Sequence, residues 1–276
     1  MPELPEVETV RRGLARTIVG LRLEAVELRR QDLRWPIPVA AVRRLRKRTC
    51  TTAARRAKYL LLTFDGSHAP TALVHLGMSG RLFVDDAIAA PAWRKHEHWR
   101  MRFGDRLLRY VDPRRFGVLD VAAWSTLGSH PLLAALGPEP LGPDFTAGYL
   151  YDKTRGRQLA TKPLLMDART VVGVGNIYAS EACFRAGVRP GRAAGRLTRP
   201  DCARLVTAVR EVLEDAIVAG GTTLRDYVGV DEEHGWFQRA LAVYDRAGEP
   251  CPRCGGTVRR AVLGQRSTYY CSGCQR

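Results

Sequence analysis

The chain has 276 residues, more than most single domains contain, so two compact units are expected. It carries 44 Lys and Arg against 28 Asp and Glu, a formal net charge of +16. The basic residues are spread along the chain between apolar stretches, which favours a folded protein with a basic face. Such a face indicates a polyanionic partner, and nucleic acid is favoured over a membrane surface. No apolar run reaches the ~18 residues of a membrane-spanning helix and the N-terminus lacks a signal-peptide pattern, so we expect a cytoplasmic protein with no membrane partner.

The first predicted element is a helix over residues 3–19. Acidic residues occupy its first turn and Gly20 follows its last turn. Its apolar residues recur at three- and four-residue steps: Leu4, Val7, Val10, Leu14 and Ile18.

Six short strand-like runs follow this helix. They are separated by turn signals such as Asp-Gly and Met-Ser-Gly, a spacing that predicts an antiparallel sandwich or barrel. The runs cover residues 21–30, 58–64, 71–76, 96–103, 106–111 and 117–124.

A segment rich in Pro and Gly, residues 128–145, marks the best candidate for a domain boundary. Beyond it the apolar spacing becomes helical, most clearly over 199–218, where Gly220 and Gly221 close the pattern.

The N-terminal sequence MPELPEVETV admits two interpretations. Removal of Met1 would leave Pro2 with a secondary amine that is partly unprotonated at neutral pH and able to attack a sugar carbon, with Glu3 and Glu6 as candidates for proton transfer. The simpler interpretation is helix capping, because Pro and acidic residues are common in a first helical turn. The residues alone favour capping.

DPRRFG, residues 112–117, places two arginines and a phenylalanine in a turn between predicted strands. An exposed Phe116 beside Arg114 would suit insertion between stacked bases. A buried Phe116 that anchors its own turn is the alternative, and composition does not separate the two.

VVGVGNIYASEACF, residues 171–184, predicts a glycine-containing loop that leads into a helix beginning near Asn176. Such a helix start can bind phosphate, although an ordinary connection between helices has the same pattern. Lys162 nearby favours a phosphate contact.

Cysteines form the strongest signal by spacing alone. Two CxxC pairs separated by sixteen residues, with a hairpin-like sequence between them, predict a closed, structural Zn²⁺ site. Such a site would hold Arg259, Arg260 and Arg266 toward a phosphate backbone. A redox dithiol or disulfides are disfavoured in a reducing compartment, and the three isolated cysteines are predicted to be reduced, partly buried thiols. The predicted ligands are Cys251, Cys254, Cys271 and Cys274, and the isolated cysteines are Cys50, Cys183 and Cys202.

Eight motifs in order across nearly the full length closely resemble the bacterial formamidopyrimidine-DNA glycosylase family, which removes 8-oxoguanine and ring-opened purines in base-excision repair and cleaves the abasic strand. The motifs are MPELPEVETVRRGL, RRAKYLLL, HLGMSGRL, DPRRFG, KPLLMD, VVGVGNIYASE, GGTTLRDY and the paired CxxC motifs. This resemblance outweighs the capping interpretation of Pro2.

The resemblance also implies residue roles. Pro2 would be the nucleophile that forms a Schiff base, Glu3 the proton donor that helps open the sugar, Lys58 the proton donor in β-elimination and Arg266 the residue of δ-elimination. The side chains that fill the gap left by the flipped nucleotide would be Met78, Arg114 and Phe116, and further DNA contacts would come from His96, Arg157 and Asn176. Arg157 stands where lysine is usual, and Val111 and Leu164 also depart from the common motifs.

The implied fold is an α+β multidomain architecture, in which damaged double-stranded DNA lies in a cleft between domains of a monomeric, nucleoid-associated enzyme. Residues 1–130 would form a β-sandwich with a leading helix, and residues 131–146 would form a linker. Residues 147–236 would form a helix-two-turns-helix domain, in which a loop from Gly220 to Trp236 closes over the flipped base. Residues 237–276 would form a zinc finger. Two alternatives stay open: an endonuclease VIII-like glycosylase for oxidised pyrimidines, and a zinc-containing DNA-binding protein without catalysis.

Overall fold

A computed structural model describes residues 2–87, 92–222 and 240–276 of the chain. Contacts divide the chain into two units: one extends to Ala134 and resumes at Ala219, and the other contains Ala135–Val218 and the C-terminal region. Within the described ranges, no helix combines the length and apolar character needed to cross a membrane. The four-part domain division stays a prediction.

Helix α1 and two antiparallel four-stranded sheets make up the first unit, in the orders β1-β6-β7-β5 and β2-β3-β4-β8. A short helix α2 lies between β1 and β2, and a 3₁₀ turn, Trp124–Ser129, follows β8. The bounds are α1 Leu4–Thr17, β1 Leu23–Leu28, α2 Val39–Arg43, β2 Cys50–Arg56, β3 Tyr59–Phe64, β4 Pro70–His75, β5 Arg81–Asp86, β6 Glu97–Phe103, β7 Arg106–Val111 and β8 Val118–Ala123.

The core of this unit lies between the two sheets. Phe64 of β3 and Phe103 of β6 stack with their ring centroids 6.3 Å apart, and Trp99 stacks on Tyr110 at 5.1 Å. The apolar face of α1 packs against the same core. The predicted antiparallel sandwich with a leading helix is therefore confirmed, and all six predicted strands are present.

Strands β2 and β5 were not predicted from the sequence. The sequence of β2, CTTAARR, lacks alternating apolar residues, and its pairing with β3 contains an irregularity between Cys50 and Thr52. The last residues of β5, Asp85 and Asp86, make its apolar part too short to recognise. Both strands are defined by their pairing with strongly apolar neighbours rather than by their own pattern.

The second unit combines four helices with a β-hairpin. Helix α6 spans the predicted range, and α5 begins at Asn176 as predicted. A second 3₁₀ turn, Ala194–Arg196, precedes α6. The bounds are α3 Ala147–Thr154, α4 Thr161–Met166, α5 Asn176–Arg185, α6 Arg199–Val218, β9 Val258–Leu263 and β10 Arg266–Cys271.

The turn of the hairpin contains two residues, Gly264 and Gln265. Both have positive φ, 55° and 60°, as a type I′ turn requires, and Leu263 pairs with Arg266 across the turn. Arg266 is therefore held at the tip of the hairpin by the local backbone geometry.

Candidate active site and metal centre

A reciprocal capping box forms the start of α1. The Glu3 carboxyl accepts from the Glu6 backbone N–H, and Glu6 Oε2 accepts from the Glu3 N–H at 2.9 Å. Both glutamates are only 3% exposed, and Pro2 before them is also buried. Capping and amine chemistry are therefore compatible, because the capping box fixes two carboxyl groups beside Pro2. Met1 lies outside the described residues.

Lys58 lies in the two-residue turn between β2 and β3. Ala57 adopts a positive φ of 54°, and its carbonyl accepts from Arg55 Nη1 at 2.8 Å. Arg55 also contacts Glu8 of α1, Nε to Oε2 at 3.3 Å. Although burial acts to raise it, hydrogen bonds and charge from Arg11 and neighbouring arginines lower the pKa of Glu8. An ionised Glu8 thus ties the helix that carries Pro2 to the hairpin that carries Lys58.

His75, opposite Tyr59 in the sheet, lies next to this turn. Burial, followed by the positive charges of Lys58 and Arg34, lowers the pKa of His75 to about 4. The neutral ring accepts the Gly77 N–H at Nδ1, at 3.0 Å. This bond shapes the turn that carries Met78.

Asp112 organises the DPRRFG turn and is fully buried. Its Oδ1 accepts from Ser79 Oγ at 2.6 Å and from the Arg114 N–H at 3.3 Å. Its Oδ2 accepts from the Gly117 N–H at 2.9 Å and from Tyr110 Oη at 3.0 Å. One carboxylate therefore holds the DPRRFG turn against the turn that contains Met78. The sequence indicated Asp112 only as the first residue of a turn.

The aromatic tip of this turn is exposed. Phe116 is 41% exposed and the Arg114 guanidinium lies 4.8 Å from its ring centroid, so the alternative interpretation, a buried Phe116 that anchors its own turn, is wrong. A Cβ on Gly77 would lie 2.5 Å from the Phe116 carbonyl carbon, which shows how closely the Met78 turn packs here. His96 joins the group because its carbonyl accepts the Asp112 N–H at 2.9 Å. Met78, His96, Arg114 and Phe116 are thus brought together by the fold.

Asn176 is the first residue of α5 and donates from Nδ2 to Tyr244 Oη at 3.3 Å. Its Oδ1 is buried without a hydrogen-bond partner among the described residues. The Glu181 carboxylate accepts three backbone N–H groups of residues 242–244, at 2.8–2.9 Å, which fixes Tyr244 beside Asn176. Tyr244 and Glu181 carry no recognisable sequence signal, because each contacts residues more than 60 positions away in the chain.

Lys162 does not lie at the protein surface, where its predicted contact with DNA would place it. Its side chain is fully buried, and Nζ donates to the Ser267 carbonyl and to Thr268 Oγ1, both at 2.9 Å. The predicted direct DNA contact is wrong for this arrangement, because the ammonium group is directed into the protein. Lys162 instead anchors the hairpin next to Arg266. Arg157 and Arg266 are exposed in the same unit.

The four predicted metal ligands lie together. Their Sγ atoms are all within 4.8 Å of one another, with 3.8 Å between Cys251 and Cys274 and 3.5 Å between Cys254 and Cys271. Tetrahedral Zn²⁺ with bonds of about 2.3 Å requires sulfur atoms about 3.8 Å apart. The donor set and spacing fit one structural Zn²⁺ closed by four thiolates.

The three isolated cysteines are buried, as predicted. Burial raises the pKa of Cys50 and Cys183 to about 12 and that of Cys202 to about 11. These thiols are therefore unreactive packing residues.

Three domain families match the chain. They are the formamidopyrimidine-DNA glycosylase N-terminal domain over residues 1–119, the formamidopyrimidine-DNA glycosylase H2TH domain over 136–228, and the zinc finger found in FPG and IleRS over 248–276. The chain belongs to the formamidopyrimidine-DNA glycosylase family. It is a DNA glycosylase of base-excision repair with lyase activity at abasic sites.

Related sequences and solved structures are similar to this chain along its whole length. The formamidopyrimidine-DNA glycosylases of Thioalkalivibrio sulfidiphilus and Magnetococcus marinus are 53% and 51% identical, with complete coverage of both chains. A Lactococcus lactis FPG mutant bound to Fapy-dG-containing DNA is 31% identical with a TM-score of 0.92 and complete coverage of both chains. The MutM (FPG) protein of Thermus thermophilus is 38% identical with a TM-score of 0.88, covering 99% of this chain and 98% of its own. The formamidopyrimidine-DNA glycosylase fold, with its DNA-binding role, therefore extends over both units.

Proposed function

We propose that the protein excises 8-oxoguanine and formamidopyrimidine lesions and cleaves the resulting strand through a Schiff base on Pro2. The observation that carries this proposal is the start of α1, where Pro2 directly precedes a buried Glu3 in a reciprocal capping box. Helix capping requires no amine at this position, whereas covalent lyase chemistry requires an amine nucleophile, which the Pro2 nitrogen supplies once Met1 is removed. Solved relatives at full coverage include a MutM complex with carbocyclic 8-oxo-G-containing DNA.

After removal of Met1, the reaction begins when the Pro2 amine nitrogen bonds to C1′ and the bond from C1′ to the damaged base breaks. The proton lost from the amine leaves with the base. Glu3 donates a proton to the ring oxygen as the sugar opens, which gives an iminium ion. A secondary amine gives an iminium that keeps its positive charge without an N–H proton, so it withdraws electrons throughout the elimination steps.

Two eliminations follow. Loss of a C2′ proton breaks the C3′–O3′ bond, and Lys58 donates a proton to the leaving 3′ phosphate. Loss of the C4′ proton then breaks the C5′–O5′ bond in a second elimination, in which Arg266 assists departure of the 5′ phosphate. Water then hydrolyses the iminium and releases the amine. The Glu8 and Arg55 contacts that tie α1 to the Lys58 turn support the joint action of Pro2 and Lys58.

DNA would be held by two groups of residues, one that fills the gap in the duplex and one that contacts phosphates. The exposed Phe116, with Met78 and Arg114, fills the gap left by the flipped nucleotide, and phosphate contacts come from His96, Arg114, Arg157 and Asn176. The loop predicted to cover the flipped base runs from Gly220 to Trp236, and its residues 223–236 lie outside the described residues. We infer a monomer acting in the cytoplasm on nucleoid DNA, consistent with three reduced, buried thiols.

Oxidised pyrimidines are a second candidate substrate class. A complex of wild-type Lactococcus lactis Fpg with DNA containing an oxidised pyrimidine covers the whole of this chain at 30% identity. Excision rates on matched purine and pyrimidine lesion duplexes would rank the two classes for this chain.

Borohydride trapping tests the nucleophile. Incubation with an 8-oxoguanine duplex and borohydride is expected to give a covalent protein–DNA adduct that maps to Pro2. Acetylation of the N-terminus should abolish trapping, and Pro5→Ala, which changes the proline inside the first turn of α1, should retain it. Tight binding of the wild type without an adduct would support a non-catalytic binding protein, and an undiminished adduct after acetylation would exclude Pro2.

A further inference from the structure

The carboxyl group of Glu6 joins two segments that are 216 residues apart in sequence. Its Oε2 accepts the Glu3 backbone N–H at 2.9 Å, and its Oε1 accepts the Thr222 backbone N–H at 2.8 Å and Thr222 Oγ1 at 2.9 Å. Glu6 and Thr222 are each 3% exposed, so these hydrogen bonds are shielded from water. Hydrogen bonds to a carboxyl group in such an environment fix geometry strongly.

Gly221 brings the chain close enough for these contacts. Its φ is +85°, and a Cβ at this position would lie 3.0 Å from Glu6 Oε1 and 3.2 Å from Glu6 Cγ. A larger residue would be strained in this conformation and would press on the carboxyl group. Two features therefore require glycine at position 221: the positive φ of its backbone, and the short distance between this backbone and the Glu6 side chain.

We propose that Glu6 is a positioning residue, which fixes the Pro2–Glu3 segment relative to the Gly221–Thr222 turn during the reaction. This inference rests on the proposed function of Pro2 and Glu3. Both Glu6 oxygens accept hydrogen bonds from the protein, so Glu6 acts on the position of its neighbours rather than in the proton transfer expected from sequence. Displacement of the turn is thereby transmitted through one side chain to the nucleophile.

Thr222 allows this role to be tested without touching the reacting groups. Thr222→Val removes the Oγ1 donor and keeps the shape and the backbone N–H, whereas Thr222→Ser keeps the donor. Glu6→Gln replaces one acceptor oxygen by an amide NH₂, so that either Glu3 or Thr222 loses its partner. The double variant reports whether the two residues act through one contact.

The experiment measures the single-turnover rate of borohydride trapping on a duplex with a preformed abasic site. We expect trapping to slow about 10-fold in Thr222→Val and about 10- to 100-fold in Glu6→Gln, because small displacements of a nucleophile are costly. Thr222→Ser should lie within about 2-fold of wild type, and the double variant within about 2-fold of Glu6→Gln. Affinity of Thr222→Val for a duplex with an uncleavable abasic-site analogue should be unchanged, because this duplex has no base for the loop from Gly220 to Trp236 to cover.

A trapping rate of Thr222→Val equal to that of the wild type would overturn the inference. A loss of DNA affinity in Thr222→Val as large as its loss of trapping rate would also overturn it. So would a double variant in which the rate reductions of the two single variants multiply. If Glu6→Gln does not fold, the comparison of Thr222→Val with Thr222→Ser decides alone. Absence of trapping in the wild type would instead overturn the proposed function, so the two failures are distinguishable.

Discussion

At the scale of a single residue, His75 connects the turn that contains Lys58 with the turn that contains Met78. The positive charge of Lys58 acts on its ring from one side, and its Nδ1 accepts the Gly77 N–H that shapes the Met78 turn on the other. Only the neutral ring can accept this hydrogen bond at Nδ1, and a protonated ring would be repelled by the charge of Lys58. Protonation of His75 therefore opposes the folded arrangement.

Acid should therefore weaken the fold through this residue. The pKa of His75 falls from 6.5 to about 4 on folding, so the unfolded chain binds the extra proton between these values. The free energy of unfolding is expected to fall as pH drops from 6.5 to 4, by up to about 3 kcal/mol from this group, with no further loss below pH 4.

Urea unfolding of wild type and His75→Gln at several pH values measures this effect. The advantage of the wild type should be largest at pH 7 and should narrow toward pH 4. A difference between the two proteins that does not change with pH would contradict the assignment.

At the scale of elements, two attachments of the β9–β10 hairpin can be tested separately. The zinc cysteines close its base, and Lys162 of α4 holds β10 beside Arg266. Removal of the Lys162 ammonium leaves the Ser267 carbonyl and Thr268 hydroxyl without this donor, a loss on the order of 1–3 kcal/mol.

Lys162→Met should therefore lower the free energy of unfolding by roughly 1–3 kcal/mol and reduce the share of δ-elimination product, since Arg266 is less firmly held. Zinc content by atomic absorption should be unchanged. Lys153→Met, on exposed α3, serves as the matched control and should leave both properties near wild type. A Lys162→Met variant with normal stability but a lower salt dependence of DNA binding would instead restore Lys162 as a phosphate contact.

These elements also show what sequence could predict. The helix of residues 199–218 and the six apolar strands are visible because their own residues repeat with the right period, and the cysteines because metal ligands need a fixed spacing. The burial of Lys162 is invisible locally, since its partners lie 105 and 106 residues away. Strand β2 and the Glu6 contact with Thr222 likewise depend on neighbours that only the folded chain supplies.

At the scale of the whole molecule, the net charge of +16 predicts binding dominated by phosphate contacts. The logarithm of the association constant should fall linearly with the logarithm of the salt concentration. Arg157→Gln should make this slope about one unit shallower, as expected for one lost phosphate contact.

Arg30→Gln is the control, because Arg30 is exposed, pairs with Asp32, and lies outside the predicted contacts. It makes the same change in net charge and should leave the slope nearly unchanged. Equal slopes for Arg157→Gln and wild type would remove Arg157 from the interface, and a flat salt response of the wild type would contradict a basic binding face.

The buried Asp112 network separates the shape of the DPRRFG tip from its chemistry. Backbone N–H groups and the Ser79 and Tyr110 hydroxyls satisfy the carboxylate, so Arg114 and Phe116 contribute no side-chain atom to it. The two outer side chains are thus free to be exchanged while the loop keeps its form. If the tip inserts into DNA as proposed, evolution or laboratory selection can change the inserted side chains by replacing these two residues, while the Asp112 network keeps the backbone of the turn in place.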